Sequence, residues 1–293
     1  MKTDKNILIA FLLNLSFAIF ECFGGIFTGS ISILSDAVHD LGDAASIGIS
    51  WILEKKSKRT PDDQHTYGYA RYSVLAGAVT TVILLLGSGV VIWNALDRII
   101  HPAAIDHNGM LLFALVGVCV NACGAFFTRE GHSVNQKAVN LHMLEDVLGW
   151  LVVLVGAVII RFTGFTRIDP ILSIGVAGFI LLHALRNLNE ILDLLLEKTP
   201  KGMDLPQIRN HLMELEGVLD VHHIHIWSMD GQNHYATMHV VAAGDPHDVK
   251  AQLRKELQEL GISHATLELE AVQEHCHESF CTPRAISSGH HHH

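Results

Sequence analysis

His39 and Asp43 stand four residues apart in an otherwise apolar run from Ile31 to Leu53, and His142 and Asp146 repeat the spacing between Ala138 and Ile160. On a helix that spacing puts both side chains on one face, a turn apart. Asp36, three before His39 and seven before Asp43, shares the face. Two copies of His-x-x-x-Asp supply two nitrogens and two oxygens, a donor set that fits a tetrahedral zinc ion. Cobalt, iron and nickel also accept such ligands, whereas cadmium prefers thiolate.

The setting of these residues sharpens that reading. An ionisable side chain at the centre of a membrane helix costs roughly 2.5–3.5 kcal/mol on insertion scales. Asp36, His39, Asp40 and Asp43, and again His142, Glu145 and Asp146, therefore need partners, water or a cation. Hydrogen bonding between helices accounts for one or two of them. It does not account for the same His-x-x-x-Asp spacing occurring twice, which a shared metal site does.

Composition bounds the class. Of 293 residues, 49% are hydrophobic, a share that suggests a membrane part joined to a soluble one. The formal net charge is −10 and no basic cluster resembles a nucleic-acid surface. Histidine is abundant at 21 residues; the terminal His290–His293 reads equally as a tag remnant or a natural tail and carries no weight. Cys22, Cys119 and Cys123 lie in apolar helices, and Cys276 and Cys281 in a His-rich tail, without the framework of a disulfide-stapled secreted domain. Reduced thiols in a cytosol-facing protein fit this pattern. The first apolar run lacks a small-residue cleavage site and reads as a retained helix.

Spanning about 30 Å of hydrocarbon takes about 20 mostly apolar residues. Stretches 7–27, 31–53, 73–97, 108–128, 138–161 and 170–193 qualify, predicting six transmembrane helices. Lys2, Lys5, Lys55, Lys56, Lys58, Arg59, Arg71, Arg129, Lys137, Lys198 and Lys201 fall on one side; Arg98, Arg161 and Arg167 fall on the other. The positive-inside rule then places both termini in the cytoplasm. Small residues, among them Gly77, Gly87, Gly89, Gly149, Gly175 and Gly178, are read as sites of close helix approach.

After Thr199-Pro200-Lys201-Gly202 the pattern becomes that of a soluble domain. Leu205, Ile208, Leu212 and Leu215 recur at helical spacing, Val218 to Trp227 and Tyr235 to Val241 read as strands, and Asp230-Gly231 marks the turn between them. Val249, Leu253, Leu257 and Leu260 form a second helical stripe, and Ala265, Leu267 and Leu269 alternate again. The order αββαβ predicts a small α+β, ferredoxin-like domain. The expected organisation is a transport domain at 1–200, a cytoplasmic metal-binding and dimerisation domain at 201–272, and a His/Cys-containing tail at 273–293.

Three stretches carry a family resemblance: Ser30 to His39, Tyr67-Gly68-Tyr69-Ala70-Arg71-Tyr72, and His142 to Gly149. With Val221 to Trp227 and His264-Ala265-Thr266, the chain resembles the cation diffusion facilitator family, most nearly its bacterial zinc-exporting branch. The resemblance runs through essentially the whole chain up to the tail. It implies a homodimeric six-helix transporter in the bacterial inner membrane that exchanges cytoplasmic zinc for protons, with His39, Asp43, His142 and Asp146 as the transport site. It also implies a metal site in the soluble domain formed from His222, His239, His264 and Glu270, with zinc as transported substrate and as structural or regulatory ligand. His223, His225 and His234 leave that assignment open, because adjacent strand residues face opposite sides. In some relatives an acid and two histidines hold a further zinc ion in the loop after the second helix. Here Asp62 and His65 match, but Tyr69 stands at the third position. Glu21 and Asp36 or Asp40 are candidates for lining the path or relaying protons. Two other readings compete. A membrane di-iron oxidase needs repeated His-x-x-x-His or His-x-x-His-His patterns at the membrane face, which the chain lacks. A metal sensor that does not transport needs no acids midway across the bilayer on two helices.

Overall fold

The computed structural model describes residues 2–28, 31–100, 107–130, 133–163 and 168–272. The tail at 273–293 and the side chains of Asp36 and His39 lie outside the described set. The chain divides into two compact units, Met1–Leu195 and Leu196–His293.

The described residues of the first unit form six helices: α1 (Lys2–Thr28), α2 (Ile31–Ser57), α3 (Arg71–Ile100), α4 (His107–Thr128), α5 (Val134–Thr163) and α6 (Ile168–Leu195). They are apolar on nearly all sides. Leu86, Val90, Trp93, Leu182 and Phe162 stand exposed on the outside, the arrangement of a bundle whose solvent is lipid. Lys5–Gly24, Arg71–Asp97, Val134–Gly156 and Pro170–Leu195 are long and apolar enough to cross a membrane. The apolar stretch described in α4, Leu115–Thr128, is shorter. In α2 the acids that interrupt the apolar run lower its hydropathy, although at 27 residues it has the length to span.

Polar side chains join these helices. Asn187 of α6 donates to Thr81 of α3 at 2.7 Å, and Asn140 of α5 donates to the Ala125 carbonyl of α4 at 2.7 Å. The densest set lies at the Lys55–Lys56 end of α2. Glu54 accepts from Ser73 of α3 at 2.6 Å and from Asn135 of α5 at 3.0 Å, while Ser50 donates to the Asn135 side-chain oxygen. All four residues are buried. Gly77 lets α3 approach this point: a Cβ there would stand 3.1 Å from the Asn135 backbone nitrogen. The other small-residue expectations fare differently. A Cβ on Gly87, Gly89, Gly149, Gly175 or Gly178 would meet nothing within 4 Å. Close approaches lie instead at Gly48, against the Phe11 ring, Gly117, against the Trp150 ring, and Gly124, against Met143. Sequence alone shows which residues are small but not which helix face meets a neighbour.

The second unit has the predicted order: α7 (Leu205–Met213), β1 (Val218–Ser228), β2 (His234–Ala242), α8 (Pro246–Glu259) and β3 (Ile262–Ala271). Both helices begin at an aspartate that accepts a backbone N–H, Asp204 from Gln207 and Asp245 from His247, each followed by proline in the first turn. β1 and β2 pair antiparallel, β2 and β3 parallel. Parallel pairing requires a crossover, which α8 supplies. Leu212, Val221, Met238, Val240, Leu253, Leu257 and Leu267 fill the core between helices and sheet. At Gly217, φ is +84° and a Cβ would stand 2.7 Å from the Ala243 carbonyl oxygen, so only glycine fits.

In β1 the pairing is displaced between His222 and His225, and His223 takes a left-handed φ of +52°. A bulge of this kind breaks the in–out alternation of a strand. It is the reason simple parity could not assign the histidines here.

The cluster at Glu54 yields a stability prediction. Asn135→Ala removes a donor from a buried carboxylate, which costs about 1–3 kcal/mol. Thermal unfolding of the detergent-solubilised protein is expected to shift down by several degrees, while Lys137→Ala, at an exposed position, leaves it unchanged.

Candidate metal centres

The first centre forms where α2 meets α5. Asp43 and His142 are buried, at 6% and 4% exposure, and His142 Nε2 lies 3.6 Å from Asp43 Oδ1. Ligand atoms of Asp43, His142 and Asp146 all lie within 4.8 Å of one another. Two helices roughly a hundred residues apart in sequence therefore converge three side chains of metal-ligating type on one point. His39 occupies the position one turn before Asp43 on α2, and its side chain lies outside the described residues.

Around this point negative charge accumulates. Asp40, Asp43, Glu145 and Glu21 all act electrostatically on Asp146. In a surrounding of low polarity such like charges repel strongly, and a divalent cation or protons relieve the repulsion. Two side chains hold members of the group in place: Asn14 of α1 donates to Asp146 Oδ2 at 3.4 Å, and Ser88 of α3 donates to Glu145 at 3.0 Å. Neither Asn14 nor Ser88 was singled out by sequence. The one available signal was that Asn14 falls seven residues, two helical turns, before Glu21 in an apolar run.

The second centre lies on the sheet of the soluble unit. Ligand atoms of His222, His239 and Glu270 lie within 4.8 Å of one another. His239 Nδ1 is 2.6 Å from Glu270 Oε1, and its Nε2 is 3.4 Å from Glu268 Oε2. His222 Nδ1 lies 3.2 Å from Asp220 Oδ2 and Nε2 lies 3.4 Å from Glu270 Oε2, yet neither ring nitrogen makes a hydrogen bond. Buried imidazole nitrogens facing carboxylates without hydrogen-bond geometry are suited to share an ion with them. The bulge brings the His223 ring within 4.9 Å of the His239 ring as well. His264 stands apart. It is exposed beside Tyr235, six residues from Glu270 along β3, about 20 Å at strand rise. Asp220 and Glu268 were not anticipated, and their signal was their two-residue offset from His222 and Glu270 on the same strands.

The loop between α2 and α3 closes on itself. Asp62 accepts the backbone N–H groups of Gln64 and His65 and the hydroxyl of Tyr69. The His65 ring stacks on Tyr69 at 4.1 Å. The tyrosine hydrogen bond, ahead of the His65 backbone bond, holds the Asp62 carboxyl below its usual value, and the same bond raises the Tyr69 hydroxyl. Tyr69 thus takes up the carboxylate that a metal would otherwise need. Cys22, Cys119 and Cys123 are free thiols, the latter two exposed on α4.

His234, at the start of β2, gives this unit a pH dependence. Its Nδ1 is sealed without a hydrogen-bond partner, and burial lowers its pKa below 6.5, with Asp230 opposing. A lowered histidine binds its proton more readily in the unfolded chain, so stability is full above the unfolded value and declines as pH falls below about 6.5. Denaturation of the metal-free soluble unit, followed by Trp227 fluorescence between about pH 7.5 and 5.5, is expected to show that decline, with a shallower slope in His234→Gln.

Residues 7–196 match the family model described as the cation efflux transmembrane domain, and residues 200–272 match that of the cation efflux protein cytoplasmic domain. Among curated proteins, the chain is 35% identical to zinc transporter ZitB of Yersinia pestis, over 100% of this chain and 96% of the relative. It is 30% identical to the metal cation efflux system protein CzcD of Cupriavidus metallidurans, over 91% and 86%. It is 29% identical to the cadmium, cobalt and zinc/H(+)-K(+) antiporter of Bacillus subtilis, over 99% and 96%. The chain belongs to the cation efflux family and is a membrane transport protein rather than an enzyme.

Proposed function

We propose that this cation efflux protein is a zinc/proton antiporter that moves cytoplasmic zinc outward by alternating access. Zinc would bind to His39, Asp43, His142 and Asp146. The observation that carries the reading is the convergence of Asp43, His142 and Asp146 within 4.8 Å inside an apolar bundle. The names of the zinc-transporting relatives support it. Zinc needs a neutral imidazole and an ionised carboxylate, so protons compete for the same atoms. A site that opens alternately to the two sides loads zinc where zinc is abundant and protons where they are abundant. Lys and Arg placement supports an inner-membrane orientation with both termini cytoplasmic, and the cytoplasmic-domain match supports a homodimer. The transport domain would occupy residues 1–200, the cytoplasmic domain 201–272.

In the soluble unit, His222, His239 and Glu270 would bind a structural or regulatory zinc ion. Asp220 and Glu268 would orient the imidazoles from outside the coordination sphere.

The decisive experiment is zinc uptake into proteoliposomes under an imposed pH gradient. Asp43→Ala and Asp146→Ala are expected to abolish gradient-driven flux while leaving the melting profile of the protein intact. Normal flux in both variants would refute the transport site. Zinc at a hundred times its dissociation constant is expected to stabilise the soluble unit by about 2.7 kcal/mol, and Glu270→Ala to remove that stabilisation without affecting the metal-free fold by a comparable amount.

A further inference from the structure

We infer that Asn14 sets the metal preference of the α2–α5 centre by confining Asp146 to a single coordinating oxygen. The inference rests on the transport-site reading above and extends it to a residue of α1.

Asn14 and Glu21 are the buried polar residues described in α1. The Asn14 amide nitrogen reaches across to Asp146 Oδ2 at 3.4 Å, while its Oδ1 is sealed from solvent without a hydrogen-bond partner. An asparagine present only to join helices would be expected to use both ends of its amide, because a buried amide oxygen left unpaired loses its hydration without replacement. Here the whole bonding capacity in use is directed at a ligating carboxylate. The amide cannot change protonation state, so it donates at every pH.

A carboxylate with one oxygen occupied by a donor has the other left for a metal. One oxygen from each of two aspartates, with two imidazole nitrogens, completes the four-coordinate shell that zinc takes at about 2.0–2.2 Å. A larger cation favours more oxygens and binds carboxylates through both. Cadmium is the larger ion of the same charge and group. With the amide removed, Asp146 can turn both oxygens toward the ion, so the site tolerates cadmium and holds zinc less well. Outer partners of metal ligands typically alter affinity by about 10–100-fold when removed.

The test compares Asn14→Thr with Asn14→Val, similar in shape and differing in a hydroxyl donor, in full-length protein in proteoliposomes under a fixed pH gradient. Zinc and cadmium fluxes are measured separately, alongside the parent, Asn14→Ala and Asp146→Ala. The expected result is that Asn14→Thr keeps the parental zinc-to-cadmium ratio, while Asn14→Val and Asn14→Ala raise the zinc KM about tenfold and move the ratio toward cadmium. Equal loss of both fluxes in Thr and Val, or an unchanged ratio in Val, would overturn the assignment and leave Asn14 a packing residue. Undiminished zinc flux in Asp146→Ala would instead overturn the transport-site reading itself, and this inference with it.

Discussion

Carboxylates and imidazoles on helices that face hydrocarbon are tolerable only where partners, water or a cation offset the cost of burying them. That constraint shapes the first unit. Asp40 and Asp43 of α2 are buried, and Asp43 meets His142 and Asp146 of α5, while the outward faces are left to residues such as Leu86, Trp93 and Phe162. Like charges drawn together in this way repel; α1 adds a further acid, Glu21, but α1 and α3 also contribute uncharged donors, Asn14 to Asp146 and Ser88 to Glu145. The centre thus combines two kinds of group: carboxylates and an imidazole of metal-ligating type, and neutral side chains that hydrogen-bond to the carboxylates.

The soluble unit reaches a metal-ready arrangement by a different route. Its helices and sheet fold around an ordinary apolar core, and no membrane insertion penalty concentrates its charges. His222 meets His239 as its cross-strand partner, and a bulge just after it brings the His223 ring to His239 as well. The left-handed backbone at His223 is a conformation that non-glycine residues adopt reluctantly. Local backbone irregularity here does what burial does in the bundle, which is to aim several nitrogens at one place.

The sequence showed these features unequally, for physical reasons. Helical periodicity and apolar length made the six helices legible, and a repeated His-x-x-x-Asp spacing made α2 and α5 stand out as partners. The αββαβ order followed from helical spacing of apolar residues, from strand alternation and from the Asp230-Gly231 turn. By contrast, Asn14 and Asn135 are single polar residues in long apolar runs, and nothing in one helix says which other helix its amide will meet. The separation of His264 from His239 and Glu270 is a matter of register along β3, which depends on where β2 and β3 begin to pair. The contribution of His223 was hidden because period-two reasoning assumes a strand without bulges. Likewise, Gly117 and Gly124 are no more conspicuous in sequence than Gly87 and Gly89, although only the first two lie against a neighbouring side chain.

The Glu54–Asn135 hydrogen bond has a mechanical consequence. It ties α2 to α5 eleven residues along α2 from Asp43, about 16 Å at helical rise. A stiff rod held at one end amplifies rotation at the other. A tilt of about 10° between the two helices about this tie displaces the Asp43 end by about 3 Å, given that rise. That distance is comparable to the whole separation between Asp43 and His142, so a small angular adjustment at the tie is enough to bring these two side chains together or part them.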